Sequence, residues 1–148
     1  MAAQAIQPTF YEFFAGGGMA RAGLGEGWRC LFANDFDASK AASYRANWGE
    51  GAMHVGDIHG LDVAALPGAP DFAWASFPCQ DLSLAGHGAG LKGARSGAFW
   101  GFQRIIEGLR TEGRAPKLLV IENVIGALTS NGGADFADLT RALAVEWA

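Results

Sequence analysis

Cysteine is nearly absent: Cys30 and Cys79 are the only two among 148 residues. A disulfide scaffold is excluded, and a chain of this length forms a core without one. Reduced, cytoplasmic thiols are the default expectation. With three histidines beside them, two cysteines complete no zinc motif, and the histidine-x-glutamate signature of the zinc deaminases is missing. No run of eighteen apolar residues exists, so no membrane span and no membrane partner are expected. Residues 1–8 lack the basic region and long apolar stretch of a signal peptide. Basic residues are also scarce, 11 against 15 acidic ones, for a net charge of −4. Proteins that grip nucleic acid alone usually show a basic face. Any DNA or RNA binding must here rest on few contacts, or on a part outside this chain.

What is present reads as one domain. Half of the residues are apolar, which excludes disorder. The 22 glycines are scattered through turns without a repeat period. A buried strand is expected over residues 9–14, followed by Ala15-Gly16-Gly17-Gly18 and a short helix over 19–24. A second strand, 28–33, ends in Asn34-Asp35-Phe36-Asp37, and Asp37 is placed to cap a helix over 38–48 with Tyr44 and Trp48 on one face. Strands at 52–55, 71–76 and 117–121 follow, with His54 expected to be buried in the third. Residues 62–66 read as a turn or short helix. Phe99, Phe102, Ile106 and Leu109 recur at helical spacing, so a helix covers about 98–109. Asp135 is the expected cap of a last helix bearing Phe136, Leu139, Leu143 and Trp147. This alternation predicts an α/β fold, a mostly parallel sheet with helices on both faces. Ligands in such folds sit beyond the carboxyl ends of the strands. Phe14, Asp35, Asp57, Cys79 and Glu122 all fall there.

The glycine run after the first strand is not GxGxxG, and no GxxxxGK[ST] loop exists, so a pyrophosphate has no evident cradle. Asp35 is placed to accept ribose hydroxyls, and Asp57 to meet an exocyclic amine. The implied ligand is a nucleoside without phosphates, of which S-adenosylmethionine is the common one. Phe14 is positioned to lie against its adenine, and Glu12 to face its methionine end or to pair with a base. Cys79 follows Pro78 and precedes Gln80 in a segment that interrupts the strand pattern, as a nucleophile on a loop does. Cys30, between Arg29 and Leu31 in a strand, reads instead as a small core residue. None of His54, His59 and His87 has a spacing that compels pairing with Cys79. Glu122, beside Asn123 at a strand mouth, is the better proton partner.

Together these residues resemble the cytosine-C5 DNA methyltransferase family. Phe14-Ala15-Gly16-Gly17-Gly18 is similar to its cofactor turn, with Met19 where the family usually has another glycine and Glu12 near where it has an aspartate. Asp35 to Asp37 and Asp57 match its ribose and adenine contacts. Phe77-Pro78-Cys79-Gln80 with Ser83 and Gly86 is similar to its nucleophile loop. Leu91-Lys92 with Arg95 and Ser96 looks like its next segment, and Glu122-Asn123-Val124 like its acid motif. The resemblance implies a Rossmann-like S-adenosylmethionine-dependent methyltransferase fold, incomplete at the C-terminus. It implies a cofactor site of Phe14, Ala15, Gly16, Gly18, Met19, Asp35, Phe36, Asp57, Ile58 and Pro78. The catalytic set is Cys79, Glu122, Pro78, Gln80 and Asn123, with no metal. The implied reaction moves a methyl group from S-adenosylmethionine to C5 of a flipped cytosine in double-stranded DNA, through a covalent Cys79 adduct, leaving S-adenosylhomocysteine.

The family continues beyond a stretch like this one into further strands, an arginine-bearing segment, a target-recognition region and a returning C-terminal helix. The expectation is therefore a cofactor-binding and catalytic part over 1–148, of bacterial or phage origin, that lacks the target-recognition region. An RNA-directed relative, an inactive fragment that binds cofactor, or half of a split enzyme whose second chain brings the recognition region are the alternative readings.

Overall fold

The computed structural model describes residues 6–78 and 97–145. Five strands, β1 (Thr9–Phe13), β2 (Arg29–Asp35), β3 (Met53–Val55), β4 (Phe72–Ala75) and β5 (Leu118–Ile121), alternate with helices α1 (Met19–Leu24), α2 (Ala38–Trp48) and α3 (Gly97–Thr111). A short α4 (Gly126–Thr129) and a longer α5 (Ala134–Val145) follow β5. The sheet order is β3-β2-β1-β4-β5, and every pairing is parallel. The chain runs outward from β1 to β3, then returns to the other side of β1 with β4. That reversal opens a crevice at the carboxyl ends of β1 and β4, where open α/β sheets bind ligands.

Burial follows from this order. The central strand β1 is buried at all five positions. On one face Tyr11, Phe13 and Phe32 pack with Phe102, Ile105, Ile106 and Leu109 of α3. On the other, Ala33 and Met53 pack with Ala41 and Tyr44 of α2, and Trp48 joins them partly buried. Phe77, Phe99, Ala127 and Leu139 form a third cluster that brings α5 to the start of α3. At the amino ends of the strands, Asp71 accepts the Thr9 N–H at 2.9 Å and the Lys117 ammonium at 2.6 Å, so one carboxylate ties β1, β4 and β5. The Lys117 bond is the main reason that its pKa falls to about 2.

Several expectations are corrected. The first strand ends at Phe13, because Phe14 has left the extended region for a left-handed conformation at φ 57°. His54 is exposed, its ring stacked on Phe32 at the sheet margin. Asp135 does not cap the last helix: it lies inside the first turn, and its carboxylate accepts the Ser130 hydroxyl. The short helix α4 had no signal of its own in the sequence. Asp37 does cap α2, accepting the Ser39 and Lys40 N–H groups.

Two polar arrangements hold the scaffold around the crevice. Arg114 donates to the carbonyls of Val63, Leu66 and Gly68 at 2.6–2.9 Å, which fastens the segment between β3 and β4 below α3. Glu12 is almost fully buried in β1 and has no ion pair among the described residues. Its Oε1 accepts the Ala20 N–H at 3.0 Å, at the start of α1, while Oε2 has no partner among the described residues. Burial pushes the Glu12 carboxyl up to about 7, against the opposing N–H groups of Ala20 and Arg21 and the Arg21 charge.

Arg114→Ala leaves three carbonyls short of a donor and should cost about 1–3 kcal/mol, read as a lower urea midpoint at unchanged slope. The Glu12 titration has a definite sign. The folded state holds the proton more tightly than the unfolded state, so this contribution to stability is complete below about 4.5 and is lost as pH rises through about 7. Glu12→Gln should remove a decline on the order of 3 kcal/mol across that window. Parallel stability-versus-pH curves for the two proteins would contradict the assignment.

Candidate active site

The site begins with how the chain leaves β1. Phe14 at φ 57°, Gly16 at φ 54° and Gly18 at φ 86° are all left-handed, which turns the backbone sharply into α1. Ala15 N–H donates to the Asn34 carbonyl at 2.9 Å, and Gly18 N–H to the Ala15 carbonyl at 2.8 Å. Asp35, at the end of β2, accepts the Gly16 N–H on one oxygen and the Asp37 N–H on the other, each at 2.9 Å. A Cβ at Gly16 would meet nothing within 4 Å, so the outer side of the turn is open.

Two cavities flank Phe14. One, of about 450 Å³, is lined by Phe14, Asn34, Phe36, Lys40, Asp57, Ile58, His59 and Pro78 among others. Phe36 is 70% exposed at its mouth, an unusual place for a phenyl ring with nothing to cover. Ile58 is buried in its floor, and Asp57 accepts the His59 N–H at 2.9 Å. The other cavity, of about 580 Å³, is lined by Glu12, Phe14, Ala15, Gly16, Gly17, Met19, Trp74, Ser76 and Glu122, with others of α1. Met19 is 80% exposed at its rim. The unpartnered Oε2 of Glu12 is the one buried acceptor on its wall with no donor among the described residues, which suits a cationic amine.

The structure thus brings Phe14, Ala15, Gly16, Met19, Phe36, Asp57, Ile58, Pro78 and Glu122 to two adjoining cavities at one end of the sheet. It places Asp35 and Gly18 behind that surface: neither lines a cavity, and Asp35 is 5% exposed with both oxygens already accepting backbone N–H groups. Any ribose contact by Asp35 would use its remaining lone pairs. Cys79 and Gln80, with Ser83, Gly86, Lys92, Arg95 and Ser96, lie outside the described residues. The position of Pro78 fixes where the segment carrying them begins. Asn123 follows Glu122 at the end of β5, and its amide donates to the Phe77 carbonyl at 3.2 Å. The acid motif and the stretch preceding Cys79 are therefore joined directly.

Sequence reasoning did not single out the amide of Asn34. That side chain is buried and donates to the carbonyls of His54 and Gly56, at 3.3 and 2.9 Å, setting the turn that carries Asp57. The available signal was a polar residue within an apolar strand. Arg104 was also passed over. It donates to the carbonyls of Ile58 and Leu61, and so supports the same cavity from α3. Cys30 is half-buried against the α2 cluster, its sulfur 3.4 Å from the Tyr44 hydroxyl, and burial pushes its thiol up. That is the opposite of an activated nucleophile. No group of three metal-ligating side chains occurs among the described residues. None of the described helices is long and apolar enough to cross a membrane.

Comparison with known proteins agrees with this geometry. Among solved structures, the fold matches a methyltransferase of Entamoeba histolytica, EhMeth, with a TM-score of 0.74 over 95% of this chain and 44% of that one, at 20% identity. A putative DNA modification methyltransferase encoded within an E. coli prophage gives a TM-score of 0.70 over 93% of this chain and 38% of that one, at 17% identity. In sequence, the chain is 33% identical over 132 residues to the type II methyltransferase M.BsuFI of Bacillus subtilis, covering 88% of this chain and 30% of the relative. It is 35% identical over 127 residues to M.NgoBI of Neisseria gonorrhoeae, covering 84% and 37%. The chain spans about a third of the length of these relatives. The family described as C-5 cytosine-specific DNA methylase matches residues 8–145. With a Rossmann-like parallel sheet, a left-handed glycine turn and an acid motif at its carboxyl edge, the chain belongs to that family.

Proposed function

We propose that this chain is the cofactor-binding and catalytic part of a DNA cytosine-C5 methyltransferase. The observation that carries the reading is the convergence of Phe14, Pro78 and Glu122 on two cavities that meet at the carboxyl ends of β1, β4 and β5. Phe14 and Phe36 offer aromatic faces to an adenine in the first cavity, with Asp57 beside them for its amine. Glu12 offers its open oxygen to the ammonium group of an amino-acid tail in the second. When bound, S-adenosylmethionine supplies an electrophilic methyl group and leaves as S-adenosylhomocysteine.

The chain's own residues do the rest. The target cytosine is flipped from double-stranded DNA into the second cavity, where Glu122 lies. Glu122 holds N3 and the exocyclic amine, which favours a proton on N3 and makes C6 electrophilic. The Cys79 thiolate forms a bond to C6, and the displaced electron pair makes C5 the nucleophile that takes the methyl group. Loss of the C5 proton and departure of Cys79 restore the aromatic ring. Asn123 ties the Glu122 strand to Phe77, and Pro78 and Gln80 shape the segment between them.

The edge of the sheet supports a further part beyond this chain. In contrast to β1, no position of β5 is fully buried, and Leu118 is 54% exposed. Val124, Ile125 and Leu128 extend the exposed apolar surface beyond it. An uncovered apolar edge of this kind is a docking surface. The remaining two thirds of a methyltransferase, in the same or a second polypeptide, would cover it and bring the basic surface that 11 lysines and arginines do not provide.

The test is transfer of labelled methyl from S-adenosylmethionine to double-stranded DNA, with transfer RNA as the competing substrate, by the chain with and without extract of the source cell. DNA transfer, alone or with extract, is the expected result; transfer to RNA only would overturn the DNA assignment. Cys79→Ser should abolish transfer while leaving cofactor affinity within about twofold, and Glu122→Gln should slow it at least ~100-fold. Full activity in Cys79→Ser would remove the nucleophile assignment.

A further inference from the structure

Behind the glycine turn, on the side away from both cavities, lies a stack of side chains that the proposed reaction does not use. The Trp48 indole, at the end of α2, donates its N–H to the Gly17 carbonyl at 3.1 Å. The same ring covers the α-carbon of Gly18 so closely that a Cβ there would lie 2.3 Å from Nε1 and 3.0 Å from Tyr44 Cδ2. Arg21, one turn into α1, lays its guanidinium 5.0 Å from the Trp48 ring centroid and 5.7 Å from that of Tyr44. It also donates to the Tyr44 hydroxyl at 3.0 Å. Tyr44 is fully buried and its hydroxyl is in contact with Cys30 on the other side.

Each of these contacts acts on one peptide plane. The Gly17–Gly18 peptide is held by Trp48 at its carbonyl and by the Ala15 carbonyl at its N–H. With both ends fixed, the peptide cannot rotate, and Gly16, Gly17 and Met19 keep their places on the wall of the second cavity. Left-handed backbone at Phe14 is strained and persists only where its surroundings hold it. Asp35 holds the turn from the β2 side and Trp48 from the α2 side.

We propose that Trp48 is a positioning residue for the cofactor: through its bond to the Gly17 carbonyl it keeps the glycine turn in its binding conformation, without touching the ligand. Arg21 acts through it by pinning the indole plane. This rests on the cofactor reading above. It predicts that affinity for the cofactor depends on a hydrogen bond made on the far side of the turn.

The probe is S-adenosylhomocysteine, titrated calorimetrically into the 148-residue chain. Trp48→Phe keeps an aromatic ring against Gly18 and removes only the donor. Its affinity should fall about five- to tenfold with the number of sites per chain unchanged, and amide exchange should quicken at residues 15–20 but not in α3. Arg21→Gln leaves the indole donor in place and should give a smaller loss in the same direction. A role confined to stability would lower the melting temperature or the number of competent sites and leave the dissociation constant of the folded fraction unchanged, and that result overturns the proposal. Equal affinity in wild type and Trp48→Phe overturns it as well. No binding by the wild-type chain would instead remove the cofactor reading, and the proposal with it.

Discussion

The carboxylate of Asp35 accepts the N–H groups of Gly16 and Asp37, each at 2.9 Å, and so joins the exit of β1 to the exit of β2. The geometry of the site depends on that junction. Gly16 is held in a left-handed turn by it, and Asp37, set by it, caps α2. Correct placement of α2 brings Trp48 and Tyr44 under Gly18, and the turn is then supported on both sides. Both oxygens of this buried side chain are taken up by backbone N–H groups, and no basic side chain pairs with it among the described residues. The turn is thus fixed by contacts within the protein itself.

The parallel sheet was legible because its determinants are local and periodic. Apolar runs such as Phe72 to Ala75 and Leu118 to Ile121, separated by helical spacings and glycine stops, admit few arrangements. Phe14, Asp57 and Glu122 come to adjoining cavities for a topological reason: in a sheet whose order reverses at β1, residues that close neighbouring apolar runs lie together at the carboxyl ends. Phenylalanine favours strands, yet Phe14 turns left-handed because Ala15 and Gly16 bind across to β2. Asp135 is a cap by residue type, yet the preceding turn at Asn131 and Gly132 starts the helix at Ala134, two residues earlier than such a cap requires, and gives Asp135 the Ser130 hydroxyl instead. Contacts made between distant segments left no local trace. The Asn34 bonds to His54 and Gly56 and the Trp48 bond to Gly17 exist only once α2 has packed.

Glu12 shows how one side chain serves two elements of the site. One oxygen receives the Ala20 N–H in the first turn of α1, and the other has no partner among the described residues. A shorter acid in the same place would have less reach toward α1, and an amide would keep the bond to Ala20 while losing the charge. In the proposed reading that open oxygen meets the ammonium group of the cofactor. Phe36 and Met19 stand exposed at the mouths of the two cavities.

The order of the strands also governs how the molecule comes into being. β1 sits between β2 and β4, and its pairing with β4 joins Phe10 to Phe72, partners separated by most of the first half of the chain. Asp71 then closes onto Thr9 across 62 positions. Such distant pairings require a large loop to close before any contact compensates for it, which slows folding and leaves one edge of β1 unpaired in the meantime. β4 and β5 follow the glycine turn only after a long interval of chain. The crevice at their carboxyl ends cannot form until both strands exist, and until then β1, buried at every position in the fold, has one edge unpaired.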